Sequence, residues 1–349
     1  MAKSTNLTPA EVFLGEAGRP LVETFPEVAG KQLVEAEPEA VTAVQEAHAV
    51  YFTEFMEKML EPLRSTGQRE SLDTIEADID NVRTAWRYLT EQGRAMEMAR
   101  MIEPLLYFHE LRDWYHSGLD LFANAEKMFR VWGKDERSEA MQAQLRGMVA
   151  FFTSILGDMD GALEVFRENL ATLRALGRSK ESLFMLTGVY VSGMFINKDK
   201  GAEAVQAAQE VIETARDLGE EWWEADGLGG LAGVYMSVGS FEEARIYAEQ
   251  SVRMWERIGD PWGSIWAEQI LAGLEAMDGK YAAAKERYLF VLDIAQSIDF
   301  NRGLQYQYNN LGNVSLLLEE YDEAEAYYLQ SLRICDEIGI TFEMLASFS

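Results

Sequence analysis

Three histidines, one cysteine and a few glycine-lysine pairs are the places where this sequence could hold chemistry. His109-Glu110-Leu111-Arg112-Asp113 opens like the zinc-protease motif H-E-x-x-H, in which two imidazoles one helical turn apart hold the metal. Aspartate stands where the second imidazole is required, and His48 and His116 are the only other histidines. His109 and His116 are instead expected to be partly buried packing residues. Gly30-Lys31, Gly133-Lys134 and Gly279-Lys280 lack the upstream glycine and the following Ser or Thr of a phosphate-cradling loop. Gly227-Leu228-Gly229-Gly230-Leu231-Ala232 fits G-x-G-x-x-A, but it follows Glu220-Glu221-Trp222-Trp223-Glu224, which is no buried strand. Close helix packing is the better reading of those glycines. Asp158-Met159-Asp160-Gly161 lacks the spacing and terminal glutamate of a calcium loop and reads as a solvated turn. Cys335, flanked by Ile334 and Ile338 with no histidine nearby in sequence, reads as a small packing residue. No catalytic residue, no metal ligand and no cofactor is expected.

The bulk composition narrows the partners. The chain has 349 residues, 31 basic and 59 acidic side chains and a formal charge of −28. Such a charge repels phosphate backbones and anionic membrane surfaces, so neither nucleic acid nor a membrane is an expected partner. Apolar residues make up 48%, enough for a packed core. A lone cysteine excludes an internal disulfide. Residues 1–9 lack the apolar run of a signal peptide, and a cytoplasmic location is the expectation.

The elements that would position any site are helices. Six of the seven prolines precede residue 105, and period-2 alternation is scarce. Apolar residues recur at three- and four-residue spacing, as in Val165-Phe166-Asn169-Leu170-Leu173. A small residue followed fifteen positions later by Gly or Asp occurs six times: Gly118/Gly133, Ala162/Gly177, Ala204/Gly219, Ala244/Gly259, Ala284/Asp299 and Ala324/Gly339. The starts step by 44, 42, 40, 40 and 40 residues. In the last three units a turn and an aromatic precede the small residue, as in Gly239-Ser240-Phe241-Glu242-Glu243-Ala244, where Ser240 and Glu243 read as a capping box. The closing Gly or Asp would take the left-handed conformation that ends a helix. Leu231-Ala232, Leu271-Ala272 and Leu311-Gly312 repeat the large-then-small pair on the first helix of later units. These features predict an all-α, right-handed α-solenoid of helical hairpins with a period of about 40 residues.

Leu-Gly/Ala on the first helix and Gly-x-aromatic-x-x-Ala opening the second resemble tetratricopeptide repeats. The 40-residue period, with Gly259-Asp260 between units, is similar to the variant in the C-terminal sensor arms of bacterial signal-transduction ATPases with numerous domains (STAND), including maltose-regulon-type activators. Ala47-His48-Ala49-Val50-Tyr51-Phe52 and Ile75–Trp86, the latter resembling the family's E-x-x-N-x-x-x-A helix, look like the segment joining the ATPase module to that arm. Arg112-Asp113-Trp114-Tyr115-His116-Ser117-Gly118 resembles its first repeat turn, with Asp113 where the family usually has Gly. The implied layout is an extension over 1–36, leading helices over 37–100, six repeats over 101–339 and a capping or truncated helix over 340–349. The resemblance implies a nucleotide-binding module outside these residues, since no phosphate loop lies within them.

Function would then live on the concave wall formed by the first helices. The forty-residue register projects onto that wall Phe184, Asp226, Trp266, Gln269, Tyr306, Asn309 and Asn313, with Gly229, Gly233 and Gly273 leaving room between them. Apart from Asp226 this column is uncharged. Amides that donate and accept, beside flat aromatic faces, suit a neutral polar small molecule, an oligosaccharide or an extended peptide backbone. The expectation is a non-enzymatic sensor arm that recognises such a ligand. The alternative is a protein–protein scaffold gripping its partner through the groove or an acidic rim such as Glu319-Glu320-Tyr321-Asp322-Glu323. An uncapped C-terminal end would permit self-association.

Overall fold

The computed structural model describes residues 38–132, 135–196 and 201–338. The extension over 1–36, the segment 340–349, Gly133 and Gly339 lie outside the described residues. Fifteen helices and no strand occur among the described residues.

Three leading helices, α1 (Pro38–Leu63), α2 (Gln68–Ala77) and α3 (Ile79–Glu91), precede α4 (Ala95–Leu111). The segment 75–86, read as one helix, is two. The chain breaks at Asp78 (φ −114°, ψ 11°), whose carboxylate accepts from Asn81 Nδ2 at 3.0 Å. Helix α4 pairs with α5 (Tyr115–Phe129) as the first of six hairpins. The others are α6 (Glu136–Ile155) with α7 (Met159–Ala175), α8 (Ser179–Ile196) with α9 (Gly201–Leu218), and α10 (Glu221–Ser237) with α11 (Phe241–Ile258). Then follow α12 (Pro261–Met277) with α13 (Tyr281–Ser297), and α14 (Asn301–Leu317) with α15 (Tyr321–Ile338).

Each hairpin packs mainly on its sequence neighbours, and the first helices α6, α8, α10 and α12 also touch one another in succession. That pattern is the signature of a solenoid. The repeated small residues explain the close approach. Ala162, Ala204, Ala244, Ala284 and Ala324 are at most 3% exposed, and a Cβ on Gly118 would lie 2.6 Å from the Phe152 ring. Phe52, Phe108, Phe122, Phe129, Phe152 and Phe166 are fully buried. Each such side chain contributes about 1.5–3 kcal/mol.

Turns between units close as the sequence predicts. Gly177, Gly219 and Gly259 have φ of 66°, 71° and 79°, and Asp299 takes the same left-handed place at 55°. The capping box at Ser240 is not formed, because the Ser240 N–H is already held by the Tyr235 carbonyl at 2.9 Å. Glu243 therefore has no free donor to accept from, and the side chain of Ser240 makes no cap bond.

Candidate recognition wall

Helices α8, α10, α12 and α14 place the projected residues side by side along one wall, and aligned positions meet in rungs. Trp222 and Trp262 stack with centroids 6.1 Å apart and planes 7° apart. Trp266 and Tyr306 meet edge to face at 6.0 Å. Gln307 Nε2 donates to Gln269 Oε1 at 2.7 Å. Tyr190 and Thr187 hydroxyls both donate to Asp226 Oδ2, at 2.9 and 3.2 Å. Trp266, Gln269, Tyr306 and Asn309 are half-buried. These four lie on α12 and α14, whereas Asp226 on α10 faces Tyr190 and Thr187 of α8.

Two projected residues sit differently. Phe184 packs toward the preceding hairpin, 5.7 Å from Phe151 and 6.3 Å from Phe166. Asn313 is exposed, and its Oδ1 accepts from Tyr328 on its own hairpin partner at 2.7 Å.

The glycines do not leave room. A Cβ on Gly229 would meet Ser251 Oγ at 3.1 Å, one on Gly233 would meet Met194 Sδ at 2.9 Å, and one on Gly273 would meet Met236 Cε at 2.8 Å. The space each glycine frees is filled by a neighbouring helix. Methionine suits this role because its unbranched thioether adapts to an irregular gap. Gly230 likewise lies under Tyr190, so the G-x-G-x-x-A run is helix packing within α10.

Asp226 titrates high. Burial pushes its carboxyl up to about 6, against the bonds from Tyr190 and Thr187 and the charge of Arg64.

The sequence register omits the charged groups delivered by the leading helices. Arg64, after α1, lies over Trp222 at 4.3 Å, near the Tyr107 ring at 5.0 Å and Trp223 at 5.8 Å. Its Nη2 donates to Tyr107 Oη at 2.8 Å. Gln68 Nε2 reaches Asp260 Oδ1 at 3.3 Å, while Asp260 Oδ2 accepts from Trp222 Nε1 at 2.7 Å. Arg302 lies 5.7 Å over Trp266 and 5.9 Å over Tyr115, and pairs with the 2%-exposed Glu110 at 2.9 Å. Arg64 and Trp222, Gln68 and Asp260, and Glu110 and Arg302 are each separated by more than 150 residues in sequence, so no periodic reading reaches them.

The remaining candidates settle as packing. His109 is fully buried; Nδ1 lies 2.8 Å from the Leu105 carbonyl, and burial pushes its pKa down to about 4. His116, expected to be partly buried, is exposed on α5. Asp158 is the N-cap of α7, accepting from Gly161 N at 3.0 Å. Cys335 is 5% exposed and its thiol is pushed up by burial. No group of three His, Cys, Asp or Glu arranged for a metal occurs among the described residues, and no helix there is long and apolar enough to cross a membrane.

The array of helical hairpins resembles a tetratricopeptide-repeat superhelix. The tetratricopeptide-repeat family profile matches residues 225–258 and 306–338, which span the α10–α11 hairpin and the α14–α15 hairpin. Among solved structures, the chain is similar to aspartyl phosphate phosphatase F from Bacillus subtilis, at 13% identity over 89% of this chain and 79% of that one, with a TM-score of 0.57. A Rap protein complexed with Competence and Sporulation Factor matches at 15% identity over 84% of this chain and 99% of that one, with a TM-score of 0.51. A STAND protein with a tetratricopeptide-repeat sensor from Pyrococcus horikoshii matches at 15% identity over 88% of this chain and 52% of that one, at 0.49. No curated protein matches in sequence.

Proposed function

We propose that this chain is a non-enzymatic recognition module that binds an extended peptide, or a neutral polar small molecule, along the helix wall of α10, α12 and α14. The observation that carries the reading is the strip of Trp266, Gln269, Tyr306 and Asn309. It offers flat apolar faces beside amides, partly exposed and without a formal charge. Aromatic faces bind the apolar parts of such a ligand, and amides satisfy its donors and acceptors in pairs. The complex of the Rap protein with Competence and Sporulation Factor supports recognition as a use of this fold. The setting proposed for the module is the sensor arm of a STAND-type signalling ATPase in the cytoplasm. The nucleotide-binding module would lie outside these residues, and bound ligand would favour one superhelix curvature over another.

A second reading places a partner protein on the second helices. There Leu289 and Phe290 on α13 and Leu329 on α15 are 36%, 52% and 55% exposed. The acidic rim at the start of α15 contributes less to that reading than its charge suggests, since Lys285 offsets one of the two charges of Glu320 and Glu323, donating to them at 2.5 and 2.6 Å.

Thermal unfolding against a panel of short peptides and neutral oligosaccharides tests the first reading. A ligand at a hundred times its Kd stabilises by about 2.7 kcal/mol, and Trp266→Ala should abolish the shift. A panel with no stabilising compound would contradict the small-ligand reading and leave the partner-protein one.

A further inference from the structure

The hairpins of a solenoid contact mainly their neighbours. This chain adds a second set of contacts, joining its first helices to the last three hairpins. Arg64 stacks on Trp222, Gln68 reaches Asp260, and Arg69 pairs with Asp299 at 2.7 Å. The turn between α4 and α5 does more. Asp113 there has φ 54°, a left-handed conformation that favours glycine. Its carboxylate accepts from Asn301 N at 3.2 Å and Arg302 N at 3.3 Å, so it caps α14. Helix α14 has no capping side chain of its own, because Phe300 occupies its N-cap. On either side of that turn, Glu110 on α4 and Tyr115 on α5 bracket the Arg302 guanidinium, which lies over Trp266.

These bridges are polar or cation–π contacts. Beside them the Tyr107 ring meets Trp222 and Trp262 edge to face. The leading helices touch the last hairpins through single side chains, whereas adjacent hairpins share whole packed faces, and contacts of the first kind can open sub-globally. Arg302, which the turn holds, lies over Trp266 of α12 and shares α14 with Tyr306, the residues of the recognition strip.

We propose that the α4–α5 turn is an internal latch. Engaged, Asp113 and Glu110 hold the N-terminal end of α14 and fix the superhelix in a closed curvature that covers one side of the Trp266–Tyr306 rung. Released, the last hairpins swing away from the leading helices and the rung is uncovered. The latch goes beyond the recognition reading and does not depend on it, since closure is a property of the unliganded chain.

Native-state hydrogen exchange on the unmodified protein is the first test. The amides of Asn301, Arg302 and Gly303 and those of the α4–α5 turn should share one opening event. Their protection should lie at least tenfold below that of Leu311–Val314 in the same helix. Exchange of all these amides only with global unfolding would overturn the proposal. A second test uses spin labels at Asp120 and Gln296, both exposed, in a Cys335→Ser background. Asp113→Ala with Glu110→Gln should convert one narrow distance distribution into a broader, longer one, with helical circular dichroism unchanged. Asp113→Asn, which keeps one carbonyl acceptor, should restore the narrow distribution in part. An unchanged distribution in the double variant would overturn the latch whether or not any ligand binds the wall.

Discussion

The carboxylate of Asp113 caps a helix that begins 188 residues later, accepting the Asn301 N–H at 3.2 Å. The residue sits where the resembling repeats carry glycine, in a left-handed turn at φ 54°, and its side chain also accepts from Tyr115 Oη at 2.5 Å. Strain at one position is thereby offset by a cap at a distant one.

That exchange predicts an ordered substitution series. Asp113→Gly removes the strain and the cap together, Asp113→Ala removes only the cap, and Asp113→Asn keeps part of it. Asp113→Ala should cost about 1–2 kcal/mol, with Asp113→Gly costing less, read from denaturant unfolding. Equal stability of the alanine variant and the wild type would remove the cap from the account.

Glu110 gives a pH prediction. Burial pushes its carboxyl from 4.5 up to about 7, with Arg302 opposing and Asp113 adding to the rise. The folded chain therefore holds this proton more tightly than the unfolded chain does. The contribution of the group is fully present below about pH 4.5 and is lost as pH rises through 7. Other carboxylates shift downward, such as Glu57 and Glu97 against arginines, and act in the opposite direction. The comparison with Glu110→Gln isolates the term. The stability difference between wild type and variant should move against the wild type between pH 5 and 8.

Arg64 is held by shape as well as charge. Its planar guanidinium stacks on Trp222 and bonds Tyr107 Oη, which lysine cannot do in one geometry. Arg64→Ala should cost about 2 kcal/mol or more, and Arg64→Lys should recover less than half of it. Full recovery by lysine would show that charge alone matters there.

Gly230 tests the packing of the wall. A Cβ there would stand 2.3 Å from Tyr190 Cζ and push that ring off Asp226. Gly230→Ala should cost about 1–3 kcal/mol in denaturant unfolding despite alanine's better helix propensity. A stabilised variant would contradict the close approach of α8 and α10.

The periodic part of the molecule was legible in the sequence because each hairpin repeats its solution. Ala204, Ala244 and Ala284 announce tight crossings, and Gly219, Gly259 and Asp299 announce helix ends. The Trp266–Tyr306 rung followed from the forty-residue register, whereas Asp226, aligned there with Phe184, bonds Thr187 and Tyr190 instead. Register reading failed where a side chain's partner is not periodic. Gly233 and Gly273 looked like open space, but Met194 and Met236, from the first helix of the preceding hairpin, fill it. Arg64, Glu110 and Arg302 were invisible as site residues, since their partners lie in hairpins that only the superhelical turn brings near.

The most direct test of the central claim is a hydrogen-exchange footprint of whichever peptide or oligosaccharide stabilises the chain. Recognition by the wall predicts added protection over residues 266–273 and 306–313, lost in Trp266→Ala. Protection confined to 286–293 and 325–333, unaffected by Trp266→Ala and removed by Phe290→Ser, would contradict it and place recognition on the second helices.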